Sequence, residues 1–174
     1  MAKEMVKWYG ITYDDFTPEY LSYSEMVDAI KDGTLDGGLV GSGIPTACVI
    51  DLTTSMDCRI VPMDKDVVQK ALPDAPAFSE YVIPAGTYRM QDEDVYTAGY
   101  NTLLVVKDDL DEEIVYSIVK AIHENSKILE ETHTAGKEWT GEPELLFRGM
   151  VLDFHPGAQR YFEEVGIWQQ KPAK

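Results

Sequence analysis

The longest regular pattern of apolar and polar positions runs through Ile114, Val115, Ile118, Val119 and Ile122, and on to Ile128 and Leu129 after Lys127. Apolar residues recurring every three or four positions line one face of an α-helix, so the spacing predicts an amphipathic helix over 111–133, capped by an aspartate at 109–111. Met26, Val27 and Ile30 repeat the pattern on a smaller scale, with Ser22 or Ser24 as the N-terminal cap and Gly33 as the left-handed residue that ends the helix. Met5, Trp8 and Tyr9 share helical spacing just ahead of Gly10, which reads as the end of a helix. Pro45 suits the first turn of a helix over 45–55, and Asp64 caps one over 65–72. A further helix is predicted over 142–149, and His155-Pro156-Gly157 opens the last, which runs to about 165 with Gly166 at its end.

Four segments read as strands instead: Thr34 to Val40, Arg59 to Pro62, Tyr81 to Tyr88 and Thr97 to Val106. The first is weak by propensity because Gly37 and Gly38 lie inside it, and a glycine there marks close approach by another group. The order strand, helix, strand, helix implies parallel pairing with helices on the sheet faces, an α/β arrangement. Internal repeats and low-complexity stretches are not evident, and the acidic turn at 89–95 is the place where two lobes would part.

Charge narrows the partners. The 174 residues carry 15 Lys+Arg against 31 Asp+Glu, a formal net charge of −16. Nucleic-acid backbones and anionic membranes would be repelled, so neither is an expected partner. With 44% apolar residues the chain is a globular protein of one domain or two small lobes. Cys48 and Cys58 are too few for a disulfide framework. No apolar run reaches the ~18–20 residues that span a bilayer. Lys3, Glu4 and Lys7 interrupt the N-terminus where an export signal would be continuously apolar, so these residues are not expected to act as a signal peptide. A chain that opens inside a helix is what a piece of a longer polypeptide would look like.

The candidate chemistry is recognition and not bond-making. His123 and His133 differ by about 280° around a single helix, so joint chelation is not expected and no metal site is assigned. A GxSxG elbow and a nucleophile–base pair are both missing from the sequence, which argues against an enzyme, and no cofactor is expected. Cys48 reads as an inert buried thiol, Asp92 to Asp94 as a solvated turn, and His155 as a structurally satisfied histidine. The turn Gly41-Ser42-Gly43-Ile44-Pro45-Thr46 is the strongest candidate. Its glycines allow close approach, and the helix N-terminus beginning at Pro45 and Thr46 favours a carboxylate or phosphate; a tight connection touching no ligand is the alternative. Gly86, Thr87 and Tyr88 form either an ordinary turn or one that carries Tyr88 into a cleft as an aromatic wall with a hydroxyl handle.

Several stretches, taken in order, resemble the TAXI family of solute-binding receptors of tripartite ATP-independent periplasmic (TRAP) transporters. They are Tyr13 to Glu25, Ala29 to Gly38, Gly43-Ile44-Pro45-Thr46, Ile83-Pro84-Ala85-Gly86-Thr87-Tyr88, Gln91-Asp92-Glu93-Asp94-Val95, Val115 to Ala121 and His155-Pro156-Gly157-Ala158. The resemblance covers residues 10–167 and the C-terminal half of such a receptor. It implies a three-layer α/β/α, periplasmic-binding-protein-like (type II-like) lobe with part of a second lobe. Residues 1–82 would form part of the second ligand-binding lobe, 83–106 the hinge and crossing strands, and 107–174 the C-terminal helices returning towards a first lobe that is largely absent. The implied function is binding of a small carboxylate, glutamate or another organic acid, in an interlobe cleft, and its delivery to TRAP membrane subunits outside the cytoplasmic membrane, in the periplasm. Gly41, Ser42, Gly43, Pro45, Thr46, Gly86, Thr87 and Tyr88 would be the ligand contacts. Arg89-Met90 departs from the Pro-Gly usual after the tyrosine, and Gly37-Gly38 departs from the alanine or larger residues usual in that strand. The alternative is a truncated fragment that binds no ligand and self-associates, as a homodimer, through the face left uncovered by the missing lobe.

Overall fold

Side-chain caps at Ser22, Asp111 and His155 start three of the helices, whereas the Asp64 side chain, at the N-cap position expected of it, makes no capping bond. The structure, a computed structural model, describes residues 1–171. Helix α1 spans Ala2–Trp8, and α2 spans Tyr23–Lys31. At the start of α2 the Glu25 N–H donates to the Ser22 hydroxyl at 3.3 Å while the Glu25 carboxylate accepts from the Ser22 N–H at 2.8 Å, a reciprocal capping box. Helices α3 (Ala47–Ser55) and α4 (Lys65–Ala71) follow, and a 3-10 turn at Leu72–Asp74 leads into strand β1 (Phe78–Ile83), which pairs with β2 (Val95–Tyr100). Next come α5 (Glu112–Glu124), α6 (Ser126–Thr132), a 3-10 segment at Thr134–Trp139, α7 (Pro143–Phe147), α8 (Pro156–Glu164) and a 3-10 turn at Trp168–Gln170.

The chain divides into two compact units. The first takes Met1–Ala75 with Glu80–Gly99, and the second takes Pro76–Ser79 with the chain from Tyr100 onward. In the first, Met26 and Val27 of α2 pack with Leu52 of α3, and a second cluster gathers Ile83, Tyr88 and Val95 around the strands. In the second, α8 lies against α5, and Val115, Phe147, Ala158, Tyr161, Phe162 and Ile167 form the core. Gly157 makes that approach possible: a Cβ there would meet the Glu112 carbonyl oxygen at 2.3 Å. His155 caps α8 with Nδ1, which accepts from the Gly157 N–H at 3.2 Å, and its Nε2 lies 3.1 Å from the Leu110 carbonyl. Both ring nitrogens are engaged, as a structural histidine requires.

Several expectations change. Among the described residues the sheet is one antiparallel pair, so the chain is mixed helix and small sheet, compatible with α/β, and the predicted parallel, strand-by-helix layering is not formed. Thr34 to Val40 is not a strand because it packs by side chain and not by ladder: a Cβ on Gly38 would lie 2.2 Å from the Met26 sulfur. Arg59 to Pro62 contains a proline that cannot donate, and its neighbour Met63 makes one bond beside β2, N–H to the Tyr96 carbonyl at 2.8 Å. The two paired strands also end earlier than predicted, β1 at Ile83 and β2 at Tyr100. Finally, the helix predicted over 111–133 breaks at Asn125, whose side-chain amide donates to the Ala121 carbonyl at 2.8 Å and so competes with the backbone ladder. Its start is as expected, with Asp111 accepting from the N–H groups of Glu113 and Ile114.

Candidate functional site

The glycine-rich turn is held from one side by α2. The Tyr23 hydroxyl donates to the Gly41 carbonyl at 2.8 Å and lies 3.2 Å from the Gly41 N–H, which donates to it. Ser42 and Gly43 follow, and Pro45 precedes the helix by two residues instead of opening it, because Thr46 is the N-cap and α3 begins at Ala47. Thr46 is extended (φ −118°, ψ 143°) and its side chain does not cap the helix; its hydroxyl lies 3.7 Å from the Cys48 sulfur. First-turn amides of a helix have no acceptor within it. The first turn of α3 also carries no acidic residue, so its partial positive charge is uncompensated from within the helix.

The second turn is built around Gln91, a buried residue that the sequence reading did not single out as a site. Its two amide N–H groups are shared among the carbonyls of Ile83 at 3.1 Å, Pro84 at 2.9 Å and Glu93 at 2.9 Å, while its oxygen accepts from the Tyr88 N–H at 3.3 Å. Gly86, at φ +76°, donates its N–H to the Gln91 carbonyl at 2.7 Å. Asp94 accepts from the Ala85 N–H at 2.8 Å, which gives one residue of the acidic cluster a structural task. The Thr87 hydroxyl donates to the Pro84 carbonyl at 2.6 Å, so its proton serves the turn itself.

These two turns meet within the first unit. The Thr46 N–H donates to the Tyr88 hydroxyl oxygen at 3.1 Å. Tyr88 is buried against Ile83 and Val95, with Ile44, Val49, Ile60 and Tyr81 around the same cluster. Burial raises the phenol above its ordinary value, against the opposing effect of the Thr46 N–H, so the hydroxyl keeps its proton through the neutral range. An oxygen that accepts from Thr46 while retaining its own proton can donate that proton to a further acceptor.

The next residue reaches the opposite end of the same helix. The Arg89 Nε donates to the Thr53 carbonyl in the last turn of α3, and its Nη2 pairs with Asp57 at 3.0 Å. Consecutive residues of one turn thus hold both ends of α3, Tyr88 at the N-cap and Arg89 at the carbonyl end, where a cation is favoured. Met90, immediately after, sits at φ +64°, a left-handed conformation that favours glycine.

The histidines are occupied elsewhere. His123 Nδ1 lies 2.8 Å from the Tyr161 hydroxyl, and His133 Nδ1 accepts from the Ala135 N–H at 3.1 Å. Among the described residues no group of three or more His, Cys, Asp or Glu is placed to hold a metal ion. Cys48 is half-buried in the α2–α3 cluster, and Cys58 packs on the same cluster; both are free thiols. No helix among the described residues is long and apolar enough to cross a membrane. A family model described as the NMT1-like family matches residues 1–166, a span that takes in both turns and both units up to the end of α8.

Proposed function

The chain belongs to the NMT1-like family, which is related to periplasmic solute-binding proteins, and from that premise we propose that it acts in solute binding as a TAXI-type receptor component of a TRAP transporter. The family carries the coarse reading, a solute-binding role on a periplasmic-binding-like fold. The finer reading is capture of a small carboxylate, glutamate or another organic acid, by Gly41, Ser42, Gly43, Pro45 and Thr46 together with Gly86, Thr87 and Tyr88. One observation supports it most: the 3.1 Å bond from the Thr46 N–H to the Tyr88 hydroxyl joins the two turns at the uncapped start of α3. There the helix amides, the Thr46 hydroxyl and the Tyr88 proton are donors of the kind an oxyanion needs. Binding, not bond-making, is the chemistry in this reading, and TRAP membrane subunits are the partners that would receive the ligand outside the cytoplasmic membrane.

Isothermal titration of the chain with glutamate and a panel of dicarboxylates tests this. Saturable binding is expected, weakened about tenfold or more by Tyr88→Phe or Thr46→Val with the fold retained, since each removes a donor to a charged group. Equal affinity in both variants would remove the two turns from the site.

A second reading, self-association as a homodimer, has its own support in the second unit. Leu104 and Val105, just past β2, are 56% and 69% exposed, and Ile114 on α5 is 49% exposed. Ile114, Ser117, Ile118 and Ala121 line a shallow depression of about 470 Å³ with Glu113 at its edge. A chain that binds none of the acids offered and sediments as a dimer would favour this reading over ligand capture.

A further inference from the structure

Three aromatic rings at the end of the second unit face one ammonium. Phe147 closes α7, Phe154 lies just before α8, and Trp168 opens the final 3-10 turn. The Phe147 and Phe154 rings cross at 65°, Phe147 and Trp168 at 73°, and Phe154 and Trp168 at 88°, with centroids 5.6, 5.9 and 5.2 Å apart. Three planes so close to mutually perpendicular form the inside corner of a box. Lys171 Nζ lies over all three faces, 6.0 Å from the Phe147 centroid, 5.4 Å from Phe154 and 4.5 Å from Trp168. The face of a ring is the negative end of its quadrupole, so each wall attracts the cation.

Other cations among the described residues are held differently. Lys3 and Lys120 each lie over a single ring, of Tyr13 and Tyr116 respectively. Arg160 lies 4.3 Å over the Tyr116 ring but also pairs with Glu112 and Glu113 at 2.9 and 2.8 Å. Lys171, in a chain with 31 acidic residues, has no carboxylate within ion-pair distance among the described residues. Among the described residues, the three rings are the contacts that hold its head. A corner made of ring faces, with no carboxylate at hand among the described residues, is matched best by a cation that has no N–H bonds to satisfy and spreads its charge over methyl groups. Lys171 is exposed, so its own N–H groups are served by water, and the residue can leave the box without opening the core beneath.

We propose that Phe147, Phe154 and Trp168 form a binding box for a small quaternary ammonium compound, and that Lys171 is an intramolecular plug competing for it. The box lies wholly in the second unit and does not depend on the carboxylate reading of the first. The test is saturation-transfer NMR on the methyl signal of tetramethylammonium, with the full chain and sodium chloride at matched ionic strength as the control. Removing the plug with Lys171→Ala is expected to strengthen binding about tenfold or more over the unaltered chain, because an occupied site lowers apparent affinity by the fraction that is open. In the Lys171→Ala background, Trp168→Leu is expected to abolish the signal with the circular dichroism unchanged. Phe154→Leu, also partly exposed, gives the same answer should the tryptophan variant fail to fold. A Lys171→Ala chain that shows no saturable transfer above the sodium control would overturn the proposal. So would a folded Trp168→Leu or Phe154→Leu variant that binds as tightly as its parent.

Discussion

Met90 shows how one residue can carry a local conflict. Its φ of +64° costs an L side chain about 1–2 kcal/mol. Met90→Gly should therefore be more stable than Met90→Ala by about 1 kcal/mol in urea denaturation, since alanine keeps the strained Cβ. Equal midpoints for the two would mean that the turn relaxes out of the left-handed region. Arg89, the other departure, was open in the sequence between reaching an anionic ligand and lying in solvent. Its side chain stays half-exposed while it grips the Thr53 carbonyl and Asp57 at the end of α3. That partner lies 36 residues away, and nothing in the local sequence around Arg89 points to it. Gln91 was illegible for a similar reason: a glutamine beside three acidic residues reads as solvated, whereas here four hydrogen bonds bury it. Tyr88 and Thr46 were legible as separate turn residues, and what the structure adds is their contact.

At the scale of elements, three caps were readable, while Asp64 at the start of α4 makes no side-chain capping bond. Ser22, Asp111 and His155 sit where the sequence put helix starts, because a side chain that accepts from nearby N–H groups needs no distant partner. Ser22→Ala should cost about 1 kcal/mol of stability through loss of the α2 cap, read as a lower denaturation midpoint. The same box has a pH signature. The Ser22 hydroxyl and N–H hold the Glu25 carboxyl below its ordinary value, so this stabilisation is complete above the ordinary glutamate range and is lost as pH falls through the lowered folded value. The gap between the unaltered chain and Ser22→Ala should narrow on that acid side; a gap that stayed constant to low pH would contradict the box. Strands were less readable, since pairing depends on what else is in reach. Thr34 to Val40, already weak by propensity, lies on Met26 through Gly38. Helix contact is where a glycine matters most: Gly157→Ala would drive a Cβ to 2.3 Å from the Glu112 carbonyl and 2.9 Å from the Tyr116 N. Both atoms are backbone, so the helices must part. A loss of about 2–3 kcal/mol in thermal or urea unfolding is expected, against no measurable loss if α5 and α8 were only loosely apposed.

For the whole molecule, a net charge of −16 and, among the described residues, a single small antiparallel sheet set the terms. The charge disfavours anionic surfaces as partners, yet a carboxylate ligand is compatible with it where donors are concentrated, as at the start of α3 with Tyr88 beside it. The family-scale reading came from ordered motifs spread over residues 10–167, and the matched family spans residues 1–166. Layering was the part the sequence overstated, because strand–helix alternation predicts parallel pairing only where each strand finds a neighbour. The measurement that tests the central claim most directly is native mass spectrometry of the unaltered chain and of Tyr88→Phe, each incubated with glutamate and a set of small dicarboxylates. The account predicts a retained acid on the unaltered chain and its loss from Tyr88→Phe at equal concentration. An unaltered chain that stays empty with every acid offered, or a Tyr88→Phe chain that retains the ligand equally, would contradict it.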